Sequence, residues 1–449
     1  MGQDIDRREF IKRAAVGAAG AGIGFPALGR AAQVAPSDKV MVGVIGTGRQ
    51  GRSDLMEFRR QPDVEIAALC DVYKPNLDEG LKSAGGNAQT YSDFRQILDR
   101  KDIDVIVIGT PDHWHPLVMV DACKAGKDVY VEKPICHTID EGILMVEAAR
   151  KNNRVVQVGT QQRSGIHFQK AVKLVQDGFI GKVSFVRTWN YANEYPQGIG
   201  DIPDSNPPAD LDWNTWLGPA PKVPFNWNRF GPDPHLPPRW STFRYFWDYA
   251  GGYMTDWGVH LIDIVHWAMK LEGPTVITGQ GGKYYIKDNA ETPDTLQVTY
   301  EYQNPDFVCV YENRWDNANS MYNKGYGIEF HGTDGTLFVD RSGFEVIPEE
   351  RLWDGQPVPR IPSMQMKSVN DSHFDHVRNF LDCVKTRKRP ISDIEIGHRS
   401  TSACLLGNVA FRSNERIVWD VKNQKLVSGG SKAEQYVTRN YRAPWKLVV

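Results

Sequence analysis

The hexapeptide Gly46-Thr47-Gly48-Arg49-Gln50-Gly51 follows the apolar run Val40–Ile45 directly and opens an amphipathic stretch. This placement constrains the fold more than any other feature of the chain. A strand running into a helix through three spaced glycines needs each of them for a different reason. The first admits the tight turn, the second lets a pyrophosphate reach the backbone, and the third lets the helix close on the sheet. The free N–H groups at the helix start then face the phosphates. Asp71 ends the next apolar run, Val64–Cys70, twenty residues beyond Gly51. A carboxylate there accepts hydrogen bonds from ribose hydroxyls and repels a 2′-phosphate, which favours NAD over NADP. Lys74 lies close by and keeps NADP open.

Residues 39–159 continue the alternation. Apolar runs at 103–108, 128–131 and 155–158 alternate with helical patterns at 117–125 and 140–151. This rhythm predicts a doubly wound parallel sheet with helices on both faces, an α/β Rossmann domain over 38–160. The remainder, 161–449, reads as α+β. Longer strands are expected at 183–191, 295–302, 307–315, 327–331 and 337–340, with helices near 371–387 and 394–413. Several of the strands alternate polar and apolar residues, which predicts a large, mostly antiparallel open sheet. A formal charge of −2 leaves no basic field to attract nucleic acid.

Within the second region, 192–245 stands apart as an insertion. Eleven of the 27 prolines lie between Pro196 and Pro238, interleaved with Trp213, Trp216, Trp227 and Trp240. So many aromatics predict an ordered loop system rather than a linker. Flat indole faces suit sugar rings, and they suit simple packing of the loops equally. The six cysteines are scattered without C-x-x-C spacing and are expected to be buried thiols.

The first residues carry a different message. Asp6-Arg7-Arg8-Glu9-Phe10-Ile11-Lys12 resembles a twin-arginine export signal, followed by a small-residue apolar run and a candidate cleavage region at 29–32. Residues 1–32 are therefore expected to be a signal peptide, cleaved or kept as an anchor, and the protein to be periplasmic or otherwise exported.

Gly109-Thr110-Pro111-Asp112-His113-Trp114-His115 follows the fourth strand, and Glu132-Lys133-Pro134 follows the fifth. Together with the glycine fingerprint, these motifs resemble the Gfo/Idh/MocA oxidoreductases, a family that includes glucose–fructose oxidoreductase and inositol dehydrogenases. The resemblance implies NAD on Gly46, Gly48, Arg49, Gln50, Gly51 and Asp71, with Thr110, Pro111, His115, Glu132 and Gln161 near its path. It also implies that Lys133 touches both nicotinamide and substrate, with a Lys133–Pro134 bond that is often cis. Oxidising an alcohol removes a hydride from carbon and a proton from oxygen. A lysine desolvated beside a cationic nicotinamide is expected to have its pKa lowered toward the working pH. His113 or His115 could alternatively cap a helix.

The segment 251–263 reads as a helix on which Asp256, His260, Asp263 and Trp267 share a stripe. Asp256 and His260 match the family's Asp-x-x-x-His pair. The resemblance thus makes His260 the acid/base on the reacting hydroxyl, with Asp256 orienting it or binding substrate. Arg163, Arg244, Trp247 and Asp263 are expected around the substrate. Asp256, His260, Asp263 and His266 could also be read as a metal cluster, but no ligand spacing supports it, and no metal is expected.

The expected activity is oxidation of a secondary hydroxyl of a sugar, glycoside or polyol with a tightly bound NAD. An exported enzyme cannot draw on free NAD, so an electron acceptor or a second sugar would regenerate it. Transient oxidation leading to glycosidic cleavage is an alternative outcome, and a non-catalytic NAD-binding sensor is another. The family resemblance further implies a homodimer or homotetramer formed through the C-terminal sheet.

Overall fold

The computed structural model describes residues 39–231, 241–320, 323–428 and 430–449. The expected export segment and Trp240 lie outside the described residues. Six strands form the first sheet: β1 (Val40–Ile45), β2 (Val64–Cys70), β3 (Gln89–Tyr91), β4 (Val105–Ile108), β5 (Asp128–Val131) and β6 (Val156–Val158). Their order is β3-β2-β1-β4-β5-β6, and every neighbouring pair is parallel. Alternate residues enter two separate cores. Ile106, Ile108, Val129 and Val131 pack on one face, and Val105, Val107 and Tyr130 on the other. Burial on both faces explains why these strands read as unbroken apolar runs. The order reverses between β1 and β4, and ligands bind at the carboxyl ends of strands at such a switch point.

The second sheet has ten strands: β7 (Val183–Tyr191), β8 (Val276–Gly282), β9 (Thr295–Tyr302), β10 (Phe307–Arg314), β11 (Tyr326–Gly332), β12 (Gly335–Asp340), β13 (Gly343–Pro348), and, after the separate hairpin of β14 (Glu350–Trp353) with β15 (Gln356–Pro359), β16 (Met364–Lys367), β17 (Ile417–Asp420) and β18 (Lys425–Ser428). Their order is β16-β13-β12-β11-β7-β10-β9-β8-β17-β18. β7 and β10 run parallel, and the other neighbouring pairs are antiparallel.

The helix Ile394–Ser413 ties the two sheets together. A Cβ at Gly397 would come within 2.4 Å of Val158 on β6, and one at Gly407 within 2.7 Å of the Tyr300 hydroxyl on β9. Small residues therefore let one helix lie against both sheets. The helix expected through 251–263 is broken at Trp257, into Gly252–Asp256 and Gly258–Met269. Both pieces are almost wholly buried, so the stripe carrying Asp256, His260 and Asp263 faces protein rather than solvent.

The insertion is ordered where described. It carries two short helices, Trp213–Leu217 and Trp227–Phe230, over an aromatic cluster of its own. Trp213 and Trp216 stack with centroids 4.7 Å apart, and Phe225 meets Trp213 edge-on at 5.2 Å. All six cysteines are buried and free.

Candidate active site

A cavity of about 770 Å³ opens at the switch point. It runs from Phe94, Arg95 and Trp445 past the glycine turn to Lys133 and Arg244. Gly46 has φ +85°, a left-handed conformation that favours glycine. A Cβ at Gly51 would lie 1.8 Å from the Gly46 carbonyl oxygen, so the helix Arg49–Arg59 can start here only on glycine. Above Gly48, by contrast, the space is open. This is the cradle a pyrophosphate needs.

Asp71 lines the cavity at the end of β2. Its carboxylate accepts from the Thr47 N–H at 2.8 Å and the Tyr73 N–H at 2.9 Å, which fixes its rotamer. Lys74 turns away to an ion pair with Asp78. Arg49, Gln50, Thr110, Pro111, His115 and Glu132 line the same cavity. The buried Thr110 hydroxyl has no partner, a polar atom left for a ligand. These residues fit NAD. His115 also works structurally, with its ring nitrogens 2.8 Å from the carbonyl oxygens of Thr110 and Pro134. Gln161 does not line the cavity, and its buried Oε1 is unpartnered.

The cavity has a roof. Leu211 bridges to Tyr73, Lys74 N donates to the Asp210 carbonyl at 3.0 Å, and Asp212 N donates to Val72 O at 3.1 Å. The insertion is thereby stitched to the loop just after Asp71. Trp216, Trp227 and Phe230 face the cavity, whereas Trp213 only packs, its indole N–H donating to Val223 O at 3.0 Å. The C-terminal tail closes the other side. Arg442 donates to the carbonyls of Asn214, Gly218 and Ala220, and Trp445 meets Trp114 edge-on at 4.8 Å. Nothing in the tail's sequence pattern signalled this contact.

At the far end, Lys133 follows β5 through a cis Lys133–Pro134 bond. Its Nζ donates to Asp256 Oδ1 at 2.6 Å and to the Asp256 carbonyl at 2.9 Å. Arg244 Nε donates to the same Oδ1 at 3.0 Å. The two cations overcome the cost of burial and hold the Asp256 carboxyl well below its ordinary range. One expectation is corrected here. Asp256 is engaged by Lys133 and Arg244 and does not orient His260, because a buried carboxylate is satisfied best by cations. Lys133 enters the site as an ion-paired donor whose side chain is largely withdrawn from water.

His260 lies one helical turn on and outside the lining of this cavity. Its carbonyl accepts from Gln162 Nε2 at 3.2 Å, its ring centroid is 6.2 Å from that of Trp257, and its buried Nδ1 has no partner. Burial, with the Lys133 charge next in effect, pushes its pKa well down, so the imidazole is neutral. Asp112, quoted in the sequence motif but given no role there, lines the cavity, and burial raises its pKa to about 7. Burial, reinforced by Asp54, raises Glu132 to about 8.

Three residues expected around the substrate are elsewhere. Arg163 and Asp263 form a buried ion pair, with N–H donors 2.7 and 2.9 Å from the carboxylate, to which Ser400 also donates at 2.8 Å. They hold the helix Gly258–Met269 in place, because a charge removed from water needs its partner more than a ligand. Trp247 stacks under Arg412 at 4.5 Å and does not line the cavity. Among the described residues no group of three or more His, Cys, Asp or Glu gathers that could hold a metal.

Known proteins share this architecture. The chain is 24% identical over 355 residues to the uncharacterized oxidoreductase YrbE of Bacillus subtilis, covering 78% of this chain and 88% of that one. It is 35% identical over 163 residues to a glycosyl hydrolase family 109 protein of Solibacter usitatus, but that match spans 33% of this chain and only 37% of the relative. Among solved structures, levoglucosan dehydrogenase in complex with NADH and levoglucosan superposes with a TM-score of 0.64 at 16% identity, over 85% of this chain and 99% of that one. Residues 40–160 match the NAD-binding Rossmann fold of an oxidoreductase family, and residues 164–447 match its C-terminal alpha/beta domain. With the glycine cradle, Asp71 and Lys133 arranged on that fold, the chain belongs to the Gfo/Idh/MocA family of NAD-binding oxidoreductases.

Proposed function

We propose that this protein is an exported oxidoreductase that acts on a secondary hydroxyl of a sugar, glycoside or polyol and keeps its NAD bound between turnovers. The observation that carries the reading is the Lys133–Asp256–Arg244 cluster at the end of the cofactor cavity. When bound, the nicotinamide supplies the hydride acceptor. Lys133 donates to the substrate oxygen and steadies the charge that develops on it. Asp256 sets the position of the Lys133 ammonium group. The family resemblance gives His260 the hydroxyl proton; in this structure it is neutral and lies one helical turn beyond Asp256, outside the cavity lining. The roof of insertion and tail supports retention of the cofactor, which an enzyme outside the cytoplasm requires. Export itself rests on the twin-arginine pattern, and assembly through the C-terminal sheet on the family resemblance.

A second outcome is favoured by one specific observation, the similarity to glycosyl hydrolase family 109 proteins. Hydride transfer to NAD would acidify the C–H beside the new carbonyl, loss of that proton would expel the aglycone, water would add to the resulting enone, and return of the hydride would complete net hydrolysis, making the protein a glycosidase. Product analysis after incubation with a panel of glycosides and polyols separates the two. Accumulation of a keto-sugar supports net oxidation, and release of the aglycone with no net change in the nucleotide supports cleavage. Neither product from any member of the panel would leave an NAD-binding sensor.

A further inference from the structure

Arg341 occupies the turn between β12 and β13 and, like His260, lies outside the residues that line the cavity, next to the helix break at Trp257. Its guanidinium stacks over the Trp257 ring at 4.8 Å, and its Nε donates to Gln162 Oε1 at 3.3 Å. Gln162 in turn donates to the His260 carbonyl, and Trp257 is the ring next to His260. Arg341 is thus one side chain away from His260 by two routes. It is exposed, while His260, Gln162 and Asp256 around it are buried. Among the described residues no carboxylate pairs with it, although the other cations of this region, Lys133, Arg244 and Arg163, each have one.

The local charge balance makes the open arginine informative. Lys133, Arg244 and Arg341 bring three positive charges. Among the described residues Asp256 is the carboxylate ion-paired there; burial raises Asp112 to about 7 and Glu132 to about 8, so near neutrality Asp112 is about half ionised and Glu132 mostly protonated. A neutral sugar would leave the Arg341 charge without a carboxylate partner among the described residues, and a nicotinamide cation would add to the positive charge nearby. A planar guanidinium held on an aromatic face with its outer nitrogens free is suited to an oxyanion.

We propose that the substrate is an anionic sugar, whose carboxylate or phosphate is held by Arg341 while its hydroxyl is presented to Lys133 and His260. The proposal rests on the oxidoreductase reading for the hydroxyl and on Arg341 alone for the anion. It names a substrate subsite on the second sheet, contributed by a turn that the sequence patterns do not mark.

The test uses the cofactor-loaded protein with matched methyl glycosides in gluco and galacto configuration: the neutral sugar, the uronic acid and the 6-phosphate. Binding is followed by calorimetry and turnover by product formation, in the wild type, in Arg341→Gln and Arg341→Lys, and in Arg351→Gln as a distant exposed control. The expected result is a preference of about 10–100-fold in kcat/KM for one of the acids over its neutral partner, the size of a charge-assisted contact. Which acid is preferred identifies the oxyanion. Arg341→Gln should erase the preference through KM, Arg341→Lys should recover part of it, and Arg351→Gln should keep it. Tight binding of an acid that Arg341→Gln abolishes, with no turnover of any sugar, would uphold the subsite and overturn the oxidoreductase reading instead. Equal handling of acid and neutral sugars by the wild type, or a preference that survives in Arg341→Gln, would overturn the proposal.

Discussion

Lys133 Nζ lies 2.6 Å from Asp256 Oδ1 and 2.9 Å from the Asp256 carbonyl, so one residue grips the lysine through both side chain and backbone. The break between the helices Gly252–Asp256 and Gly258–Met269 leaves that carbonyl available. Lys133→Met should lower kcat by roughly 10²–10⁴-fold, the range of a positioned donor or acid–base group, while the amount of bound NAD stays near the wild-type level. Asp256→Asn should lower kcat as well, because it loosens the lysine without removing it. Single-turnover kinetics on protein of known nucleotide content check both.

The Arg163–Asp263 pair offers a contrast. It is as well formed as the Lys133 contact but lies inside the protein, with Asp263 fully buried. Arg163→Met leaves a buried carboxylate without its cation and should cost about 3–5 kcal/mol of stability. Chemical denaturation measures that loss. KM of whatever enzyme survives should stay within a few-fold of wild type, and a large selective rise in KM would restore the pair to the substrate site.

How legible was this in the sequence? The cofactor cradle was legible because its causes are local. Gly46, Gly48 and Gly51 act within one turn, and Asp71 ends the very next strand. Lys133 was legible because it follows a parallel strand at its carboxyl end. The Arg163–Asp263 pair was not, since its partners are one hundred residues apart and both types suit a polar site equally well. Asp256 was placed correctly on its helix, but its partners Lys133 and Arg244 arrive from other segments. Arg341 and Trp445 belong to a turn and a tail, where no periodicity marks a side chain as facing a cleft. Trp213 and Trp216 differ by three residues, yet one packs and the other lines the cavity, a distinction set by the loop path.

The tail gives a prediction of its own. Arg442 alone makes four side-chain hydrogen bonds to the loop at 214–220. Arg442→Ala should loosen that loop and speed release of NAD at least about tenfold, since two or more bonds of roughly 1 kcal/mol each are lost from the closed state. Fluorescence of the reduced cofactor, chased with unlabelled nucleotide, reads the rate. An unchanged rate would assign the tail to stability alone.

Asp112 makes the cofactor-free protein sensitive to pH. Burial raises its carboxyl to about 7. From the unfolded carboxyl's pKa near 4 up to about 7, the folded chain holds a proton that the unfolded chain has released, so stability falls as pH rises through that window. Asp112→Asn removes this slope. Across the same window the variant should gain about 2–4 kcal/mol relative to wild type, and urea melts at matched pH follow it. Parallel pH profiles for the two proteins would contradict the buried, protonated state.

The most direct measurement is made on protein purified without added cofactor. The nucleotide released on denaturation is identified by mass spectrometry, and the near-ultraviolet absorbance of reduced nicotinamide is followed in the intact protein after mixing with neutral and acidic glycosides. The wild type should carry co-purified NAD that a sugar reduces in place, and Lys133→Met should carry NAD that no sugar reduces. Protein that carries no nicotinamide nucleotide and binds none when it is supplied would contradict it.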